Sequence, residues 1–207
     1  MNYQASKSYL IFKRIIDILG ATFGLLLLTP IFIVVALLIK IENPKGPVVF
    51  SQIRVGEKKK EFKMYKFRSM VVDAEEKLQE LLRYNQVTGA MFKMENDPRI
   101  TTVGKFIRKT SIDELPQLIN VLKGDMSLVG PRPPLVREVT EYNTNDLKRL
   151  LVKPGCTGLW QVSGRSKLGF KEMVDLDLAY IENRSIRLDI LIIIKTLKLL
   201  LGSKDAY

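Results

Sequence analysis

Residues 18–39 read ILGATFGLLLLTPIFIVVALLI and contain no charged side chain. As an α-helix rising about 1.5 Å per residue, this run is long enough to cross a hydrocarbon core of about 30 Å. Pro30 lies near its middle, directly after Thr29, and a proline inside a helix removes a hydrogen bond and favours a kink. The run therefore predicts a membrane helix. It leaves two arrangements open: a simple span, or a re-entrant hairpin that bends at Thr29 and Pro30.

Charged residues flank this run on both sides. Lys13 and Arg14 precede it, and Lys40 and Lys45 follow it. Basic charge on both flanks gives no inside–outside bias, so it does not separate the two arrangements. Asp17, one turn after Arg14, is interpreted either as an ion-pair partner of that arginine or as a side chain in the headgroup layer.

The composition is strongly basic. Lys and Arg number 33 against 22 Asp and Glu, so the formal net charge is +11. Such an excess favours an anionic partner: nucleic acid, an anionic membrane surface or a phosphorylated substrate. The chain contains no histidine, which excludes histidine-based acid–base catalysis and the usual zinc sites. Its single cysteine, Cys156, cannot form an intrachain disulfide, and we interpret it as a small buried side chain in a cytoplasmic protein.

The remaining sequence predicts an α/β fold that is mostly α with one small β-hairpin. Segments Val48–Gly56 and Glu61–Met70 are rich in β-branched and aromatic residues and flank the polar loop EKKK. Helical patterns follow in four segments: 71–84, 114–124, 135–151 and 170–183. The apolar segment 185–202 carries basic side chains on one side, so we interpret it either as an amphipathic helix at a membrane interface or as a buried core helix.

Asp113 and Glu114 stand side by side in TSIDELPQL, residues 110–118. Ser111 and Glu114 match the S-x-x-E capping box of a helix N-terminus. Pro116 fits that box poorly, because its missing N–H would fall beyond the first turn, and it favours a helix that starts at Asp113. Asp113 would then stand at a positive helix end whose N–H groups can hold a phosphate, as expected of a reactive centre. The sequence leaves both interpretations open.

Four arginines lie at turns or strand ends, beside Gly, Pro or Ser: Arg68, Arg99, Arg132 and Arg165. A guanidinium group binds phosphate oxygens in a fork. Any one of these arginines alone fits a surface ion pair, whereas four of this kind together predict a phosphate site. Trp160, in the glycine-rich stretch near Arg165, is interpreted as an anchor for its loop or as a platform for base stacking.

Several longer segments resemble one enzyme family. They are FKRIIDILGA, GPVVFSQIRVG, YKFRSM, DPRITTVGKFIRKTSIDELPQLINVLKGDMSLVGPRPP and KPGCTGLWQVSGR. Together they are similar to the bacterial sugar transferases, the monotopic phosphoglycosyl transferases, from about Phe12 to the C-terminus. The resemblance implies a Mg²⁺-dependent enzyme at the cytoplasmic face of the bacterial cytoplasmic membrane. Such an enzyme transfers a sugar 1-phosphate from a UDP-sugar to polyprenyl (undecaprenyl) phosphate and releases UMP, as the first membrane step of a glycan pathway.

The resemblance also implies roles for particular residues. Asp113 aligns with an aspartate nucleophile that forms a covalent phosphosugar intermediate. Glu114 aligns with its partner, which holds the metal or deprotonates the lipid phosphate. Both carboxylates are expected to hold Mg²⁺. Arg132 and Arg165 match arginines that are associated with phosphate binding.

For the membrane segment, the resemblance favours the re-entrant hairpin over the span. Thr29 and Pro30 match the break of a re-entrant helix-break-helix, and the Thr29 hydroxyl is expected to bond a carbonyl group that the proline leaves free. Residues 1–42 are accordingly expected to form the re-entrant membrane helix. Residues 43–207 are expected to form a compact cytoplasmic catalytic domain with a C-terminal interfacial helix.

The expected partners are a UDP-sugar, polyprenyl phosphate and anionic membrane lipids, and nucleic acid is not expected. A homodimer, or contact with other glycosyltransferases of the pathway, is compatible with these partners. Two other classes of function stay open on the sequence alone. One is a basic, membrane-tethered module that binds nucleic acid or anionic lipid without catalysis. The other is an inactive subunit of a polysaccharide assembly complex, against which the intact pair of Asp113 and Glu114 argues.

Overall fold

The chain is mostly helical with small sheets, as the sequence predicts. A computed structural model describes residues 5–86, 94, 96–164 and 168–202. The predicted hairpin forms, with antiparallel strands paired from Val49–Phe67 to Val55–Glu61. The helices and strands within the described ranges have these bounds: α1 (Lys7–Glu42), β1 (Val49–Val55), β2 (Glu61–Phe67), α2 (Ala74–Leu81), α3 (Thr102–Lys109), α4 (Gln117–Lys123), β3 (Ser127–Val129), α5 (Val136–Thr140), β4 (Gly155–Thr157), α6 (Phe170–Asn183) and α7 (Ile186–Gly202).

A second small sheet, which the sequence analysis did not predict, joins two distant segments. β3 and β4 pair in parallel, with Ser127 opposite Gly155 and Val129 opposite Thr157. Position 155 requires glycine, because a Cβ atom there would lie 2.1 Å from the backbone nitrogen of Gly130. The pairing brings the glycine-rich part of the chain against the segment that follows β3, and so gathers distant residues around one cleft.

α1 is a helix of 36 residues that continues through Thr29 and Pro30. The Thr29 hydroxyl donates a hydrogen bond to the Leu25 carbonyl at 2.8 Å. Pro30 has no N–H group, so the carbonyl that loses its helical partner is that of Leu26, four residues earlier. The prediction that the Thr29 hydroxyl bonds the freed carbonyl is therefore wrong in its acceptor.

The outward face of α1 is apolar and exposed. Leu19, Phe23 and Leu26 are 65%, 67% and 71% exposed, and α1 is long and apolar enough to cross a membrane. A core helix of a water-soluble domain would bury such side chains, because exposed apolar surface costs about 25 cal/mol per Å² in water. The exposed apolar face therefore indicates that the chain associates with a membrane.

The opposite face of α1 packs on the rest of the chain, and buried polar contacts hold its first half. The Asp17 carboxylate accepts hydrogen bonds from the Ser127 hydroxyl and the Leu128 N–H, both at 2.9 Å. The Arg14 guanidinium donates to two carbonyl groups in the last turn of α4, at 2.6 and 2.8 Å, where a cation is favourable. Neither role predicted for Asp17, as an ion-pair partner of Arg14 or as a headgroup-layer residue, is right.

One buried carboxylate joins the start of α1 to α7. Asp189 accepts hydrogen bonds from Tyr9, Lys13 and Tyr180 at 3.0, 3.0 and 2.7 Å. Ile192, one turn later in α7, is also buried. The other side of α7 exposes large apolar side chains: Ile190, Leu191, Ile194, Leu197 and Leu200. α7 thus has the packed face expected of a core helix and, on its other side, an exposed apolar face.

The second half of α1 packs on the same group of elements. The rings of Phe32 and Phe67 meet edge to face with centroids 5.0 Å apart, and Val35 and Ile39 are buried in the same cluster. Glu42, the last residue of α1, accepts hydrogen bonds from the first two N–H groups of α3 at 2.8 and 3.2 Å. A carboxylate at that position caps α3 and favours its positive end. Both halves of α1 are therefore fixed to one domain.

We expect Asp17→Ala to lower the free energy of unfolding by about 1–3 kcal/mol, because it leaves two buried donors, on Ser127 and Leu128, without an acceptor. Thermal and denaturant unfolding in detergent micelles measure the change. Asp73→Ala is the matched control, because it removes an exposed carboxylate whose partner is Lys77 at 2.8 Å, and it should change stability little. Equal effects of the two substitutions would contradict the structural role of Asp17.

Candidate active site

Asp113 and Glu114 lie in a single 3₁₀ turn between α3 and α4. Ser111, just before the turn, has a left-handed backbone with φ of 57°, and its side chain makes no capping hydrogen bond. α4 begins only after Pro116, a place where a missing N–H group costs nothing. The predicted capping box and the predicted helix start at Asp113 are both wrong. The acidic pair is presented by a turn between two helices.

The Asp113 carboxyl group is buried, with 8% of the residue exposed. Burial raises the pKa of Asp113 to about 6 against the opposing charge of Lys66, and the negative charge of Glu114 contributes to the rise. No hydrogen bond to this carboxylate is formed by the residues in the described ranges. A buried carboxylate that receives little stabilisation as an anion is a stronger nucleophile than one in water.

Two cations hold Glu114. Its Oε1 atom lies 2.6 Å from Lys66 Nζ and 3.5 Å from Arg132 Nη1. Burial alone would raise the pKa of Glu114, but Lys66 and Arg132 outweigh burial and hold this pKa well below its usual range. The two adjacent carboxyl groups are therefore shifted in opposite directions, which is typical of paired carboxyl groups with different roles.

Lys66 is a site residue that the sequence analysis missed. It lies on β2, and its side chain lines the same cleft as that of Met64, two residues earlier. Phe62 and Met64 are buried, and alternate residues of a strand face one side. The sequence does contain a signal for Lys66, because it continues the buried face of a predicted strand. Lysine is rarely buried there without a partner of opposite charge.

The segment that carries Arg132 is positioned by β1. Arg54, which the sequence analysis also missed, is buried and donates from Nη1 to the Pro133 carbonyl at 3.1 Å. The N–H of Val55 donates to the Pro134 carbonyl at 3.0 Å. Burial, and then the nearby charge of Arg132, lowers the pKa of Arg54 to about 10. The two guanidinium groups thus create a positive field that an anionic ligand would relieve.

The other arginines of the predicted phosphate site are placed elsewhere. Arg68 donates to a backbone carbonyl of the turn that follows α1, at 3.2 Å. Arg99 forms a buried ion pair with Asp97 at 2.6 Å. Neither of these arginines lines the cleft beside the acidic pair. Arg165 lies outside the described residues, and of the three arginines that the structure describes, Arg132 is the one brought to the site.

Residues from separate parts of the chain line the cleft beside Glu114: Met64, Lys66, Gln117, Arg132, Pro133, Gly155, Cys156 and Gln161. Gln117 follows Glu114 by three residues and is 3% exposed, and the sequence analysis missed it. Cys156 packs on the hydrophobic cluster around Met64, as expected of a small filler. Cations and amides together in one cleft suit a ligand that carries phosphate and hydroxyl groups.

Comparison with known proteins identifies the family. The family model described as bacterial sugar transferase matches residues 8–203. The chain belongs to the bacterial sugar transferases. This confirms the resemblance that the motifs around Asp113 and Arg132 indicated.

Three relatives of this sugar transferase have informative names. It is 56% identical, over 94% of its length, to the galactosyl transferase CpsE of Streptococcus agalactiae, and 46% identical, over 100% of its length, to the undecaprenyl-phosphate galactose phosphotransferase of Salmonella typhimurium. It spans 43% and 44% of the length of those two proteins. It is 39% identical to the exopolysaccharide production protein ExoY of Rhizobium meliloti, over 94% of its own length and 88% of that protein. Two of the three names describe transferases, which favours an enzyme over a binding module or an inactive subunit.

The acidic pair of this sugar transferase fits a Mg²⁺ ion that is shared with a substrate. Within residues 5–86, 94, 96–164 and 168–202, no group of three or more His, Cys, Asp or Glu side chains could hold a metal ion. Asp113 and Glu114 supply two adjacent carboxylates. Mg²⁺ is usually held by one or two carboxylates together with substrate phosphates and water. The pair fits that mode of binding, in which the diphosphate completes the site.

We expect Cys156 of the folded sugar transferase to react slowly with thiol reagents. Burial, and then the negative charge of Glu114, raises the pKa of its thiol, and the thiolate is the reactive form. The alkylation rate should therefore keep rising with pH beyond the range in which a cysteine in water levels off. Mass spectrometry of quenched samples measures this rate for the single cysteine of the chain. Denatured protein is the control, and identical folded and denatured profiles would contradict the packing of the partly buried Cys156 on the cluster around Met64.

Proposed function

We propose that this chain transfers a sugar 1-phosphate from a UDP-sugar to polyprenyl phosphate at the cytoplasmic face of the membrane, releasing UMP. The observation that carries this proposal is the buried Asp113 carboxyl group beside Glu114, which Lys66 and Arg132 hold as an anion. Membership of the bacterial sugar transferase family supports it. The name of the Salmonella relative, which specifies undecaprenyl phosphate and galactose, supports the two substrate classes.

In the first half-reaction, a carboxylate oxygen of Asp113 attacks the phosphorus that carries the sugar. The bond between this phosphorus and the oxygen that bridges to the other phosphate breaks, and UMP leaves with that oxygen. The product on the enzyme is an acyl phosphate that still bears the sugar. An anion attacking a diphosphate meets Coulomb repulsion of roughly 1 kcal/mol per charge pair at 4 Å in water and more near a protein surface. Lys66, Arg132 and Arg54 supply the positive charge that offsets this repulsion.

In the second half-reaction, a phosphate oxygen of the lipid attacks the same phosphorus atom. The bond to Asp113 breaks, the carboxylate is restored, and the lipid leaves as a diphosphate that carries the sugar. A phosphate monoester has a second pKa of about 6, so the attacking oxygen is already mostly deprotonated near neutral pH. This step therefore does not require a strong general base.

Glu114 is better suited to hold positive charge than to accept a proton. Lys66 and Arg132 keep its pKa well below its usual range, and a carboxylate with a low pKa is a weak general base near neutral pH. We therefore propose that the Glu114 carboxylate binds cations, namely Lys66 and Mg²⁺, and does not act as the general base. Bound Mg²⁺ would neutralise charge that builds up on the diphosphate.

We also propose that α1 enters the membrane and leaves it on the same side, with the region of Thr29 and Pro30 deepest in the membrane. Two contacts support this arrangement, because Asp17 in the first half of α1 and Ile39 in the second half are both buried against one domain. Residues 25–31, between the two contact regions, would extend about 10 Å as a helix. A span requires about 30 Å. Residues 1–42 would then form the membrane unit and residues 43–207 the catalytic domain.

α7 would lie at the interface of the same membrane. It exposes large apolar side chains over most of its length, and Arg187, Lys195 and Lys198 are exposed beside them. An apolar face bordered by basic side chains is typical of helices that lie among anionic headgroups. Anionic lipids are therefore the proposed partners of this surface.

The covalent step predicts a burst. Enzyme mixed with its UDP-sugar and Mg²⁺, without a lipid acceptor, should release about one UMP per active site and retain the phosphosugar on Asp113. Rapid quenching, nucleotide chromatography and intact-mass spectrometry measure the two products. Asp113→Asn should abolish the burst, because an amide oxygen is a poor nucleophile, while UDP-sugar binding persists. An unchanged burst in this variant would contradict the assignment of Asp113 as the nucleophile.

The topology is tested by cysteine labelling in a Cys156→Ser background. Ser8→Cys and Lys45→Cys place exposed thiols just before and just after the apolar run. If α1 enters and leaves on one side, both thiols should react with a membrane-impermeant maleimide only when the cytoplasmic face is open to the reagent. Labelling of the two positions from opposite faces of the membrane would instead indicate that α1 spans it.

A further inference from the structure

A second cleft adjoins the first, with Arg132 and Pro133 lining both. Its other walls include three aromatic side chains, those of Tyr142, Trp160 and Phe170. The rings of Tyr142 and Phe170 have centroids 5.6 Å apart and planes inclined by 45°. The first cleft has no aromatic side chain in its walls, whereas this one combines three aromatic rings with charged side chains. The two clefts therefore suit chemically different parts of one ligand that passes Arg132.

The aromatic cleft is held in place by a buried ion pair behind it. Arg149 donates from Nη1 to the Tyr142 hydroxyl at 2.7 Å, and its Nη2 lies 2.7 Å from the Asp177 carboxylate. Arg149 and Asp177 are 5% and 0% exposed. Because Arg149 is buried and is held by the Asp177 carboxylate, the Tyr142 hydroxyl that it contacts has little freedom to move. The wall is formed before any ligand arrives, which lowers the entropic cost of binding.

The indole N–H of Trp160 points to a missing acceptor. The Nε1 atom is buried and has no hydrogen-bond partner among the residues that the structure describes. A buried donor without an acceptor is unfavourable, and such groups in a cleft wall are often satisfied by a ligand. A planar ring with carbonyl groups at its edge would stack on the aromatic walls and accept this hydrogen bond. Uracil has this combination of features.

The position of the aromatic cleft indicates which end of a UDP-sugar it suits. α1 packs on β2, α3, α4, β3 and α7, whereas α5 and α6 contribute Glu138 and Phe170 to the walls of the aromatic cleft. A lipid acceptor has to approach from α1, and the sugar phosphate has to stay beside Asp113 through both half-reactions. UMP has to leave into water after the first half-reaction and before the second. The aromatic cleft suits the leaving end, and the first cleft, with the amide of Gln117, suits the sugar.

We propose that the aromatic cleft binds the uridine end of the UDP-sugar, with uracil stacked on the aromatic wall of the cleft and Trp160 Nε1 donating to the 4-carbonyl of uracil. Arg132, on the wall shared by the two clefts, then lies beside the diphosphate. This inference rests on the proposed function and assigns one end of its substrate to a place. It makes Trp160 and Phe170 residues that recognise the nucleotide and take no part in the chemistry.

Trp160 is the only tryptophan in the chain, so intrinsic fluorescence reports on this cleft directly. UMP added to the detergent-solubilised protein should quench the fluorescence saturably, and glucose 1-phosphate at the same concentrations should not. CMP should bind more weakly than UMP, because cytosine carries an amino group in place of the 4-carbonyl that accepts the hydrogen bond from Trp160. Quenching by glucose 1-phosphate but not by UMP would overturn the proposal and assign the cleft to the sugar. No response to either compound would also overturn it.

Two substitutions sharpen the test. Phe170→Leu keeps Trp160 as the reporter and should weaken UMP binding about tenfold, because it removes one stacking surface. Trp160→Phe should raise the KM for the UDP-sugar by a similar factor and leave the KM for polyprenyl phosphate unchanged. A loss of packing alone would change both KM values and lower the melting temperature. Tyr84→Leu is the matched control, because Tyr84 is an exposed aromatic residue outside both clefts, and it should not affect UMP binding.

Failure of this inference is distinguishable from failure of the proposed function. Quenching by UMP without transfer of any sugar 1-phosphate to polyprenyl phosphate would refute the function and leave the uridine cleft in place. Transfer activity without a Trp160 response to UMP, or with full UMP affinity in Phe170→Leu, would refute the cleft and leave the function in place.

Discussion

The docking of α1 on the catalytic domain is the contact on which the other features of the molecule depend. Asp17 binds the start of β3, and β3 leads within three residues to Arg132. Arg14 binds the end of α4, which begins three residues after Glu114. Two side chains one turn apart on α1 thus fix both walls of the cleft. The same helix exposes an apolar face on its other side, so membrane association through that face would hold the site at a fixed position relative to the lipid surface.

Charge is distributed in the cleft so that cations outweigh burial at Glu114, whereas burial outweighs the nearby cations at Asp113. Lys66 and Arg132 both approach Glu114, while Asp113 is buried without a hydrogen bond from the described residues. The net charge of +11 is consistent with the proposed function, because a diphosphate substrate and a lipid phosphate would each bring negative charge to the same place.

Features of the fold that depend on neighbouring residues could be predicted from the sequence. Features that depend on partners far away in the chain could not. Gly124, with φ of 86°, ends α4 as predicted, and the helix predicted for residues 170–183 has the observed bounds of α6. The capping box failed because the backbone of Ser111 is left-handed, which no side-chain pattern shows. Asp17 and Lys66 were misread or missed because their partners lie 110 and 48 residues away in the chain. The acidic pair itself was found, since its signal is entirely local.

The close contact between α1 and the domain depends on small side chains along one face. A Cβ atom at Gly20 would lie 2.7 Å from the Leu128 side chain, and one at Gly24 would lie 3.1 Å from Leu118. These two glycines and Asp17 lie on the face of α1 that packs on the domain, and the opposite face of the helix is apolar. An inserted α1 without its domain would leave the Asp17 carboxylate near hydrocarbon, which is costly, and the domain without a membrane would leave the apolar face in water. Insertion of the apolar face into a membrane and docking of α1 on its domain would therefore stabilise each other.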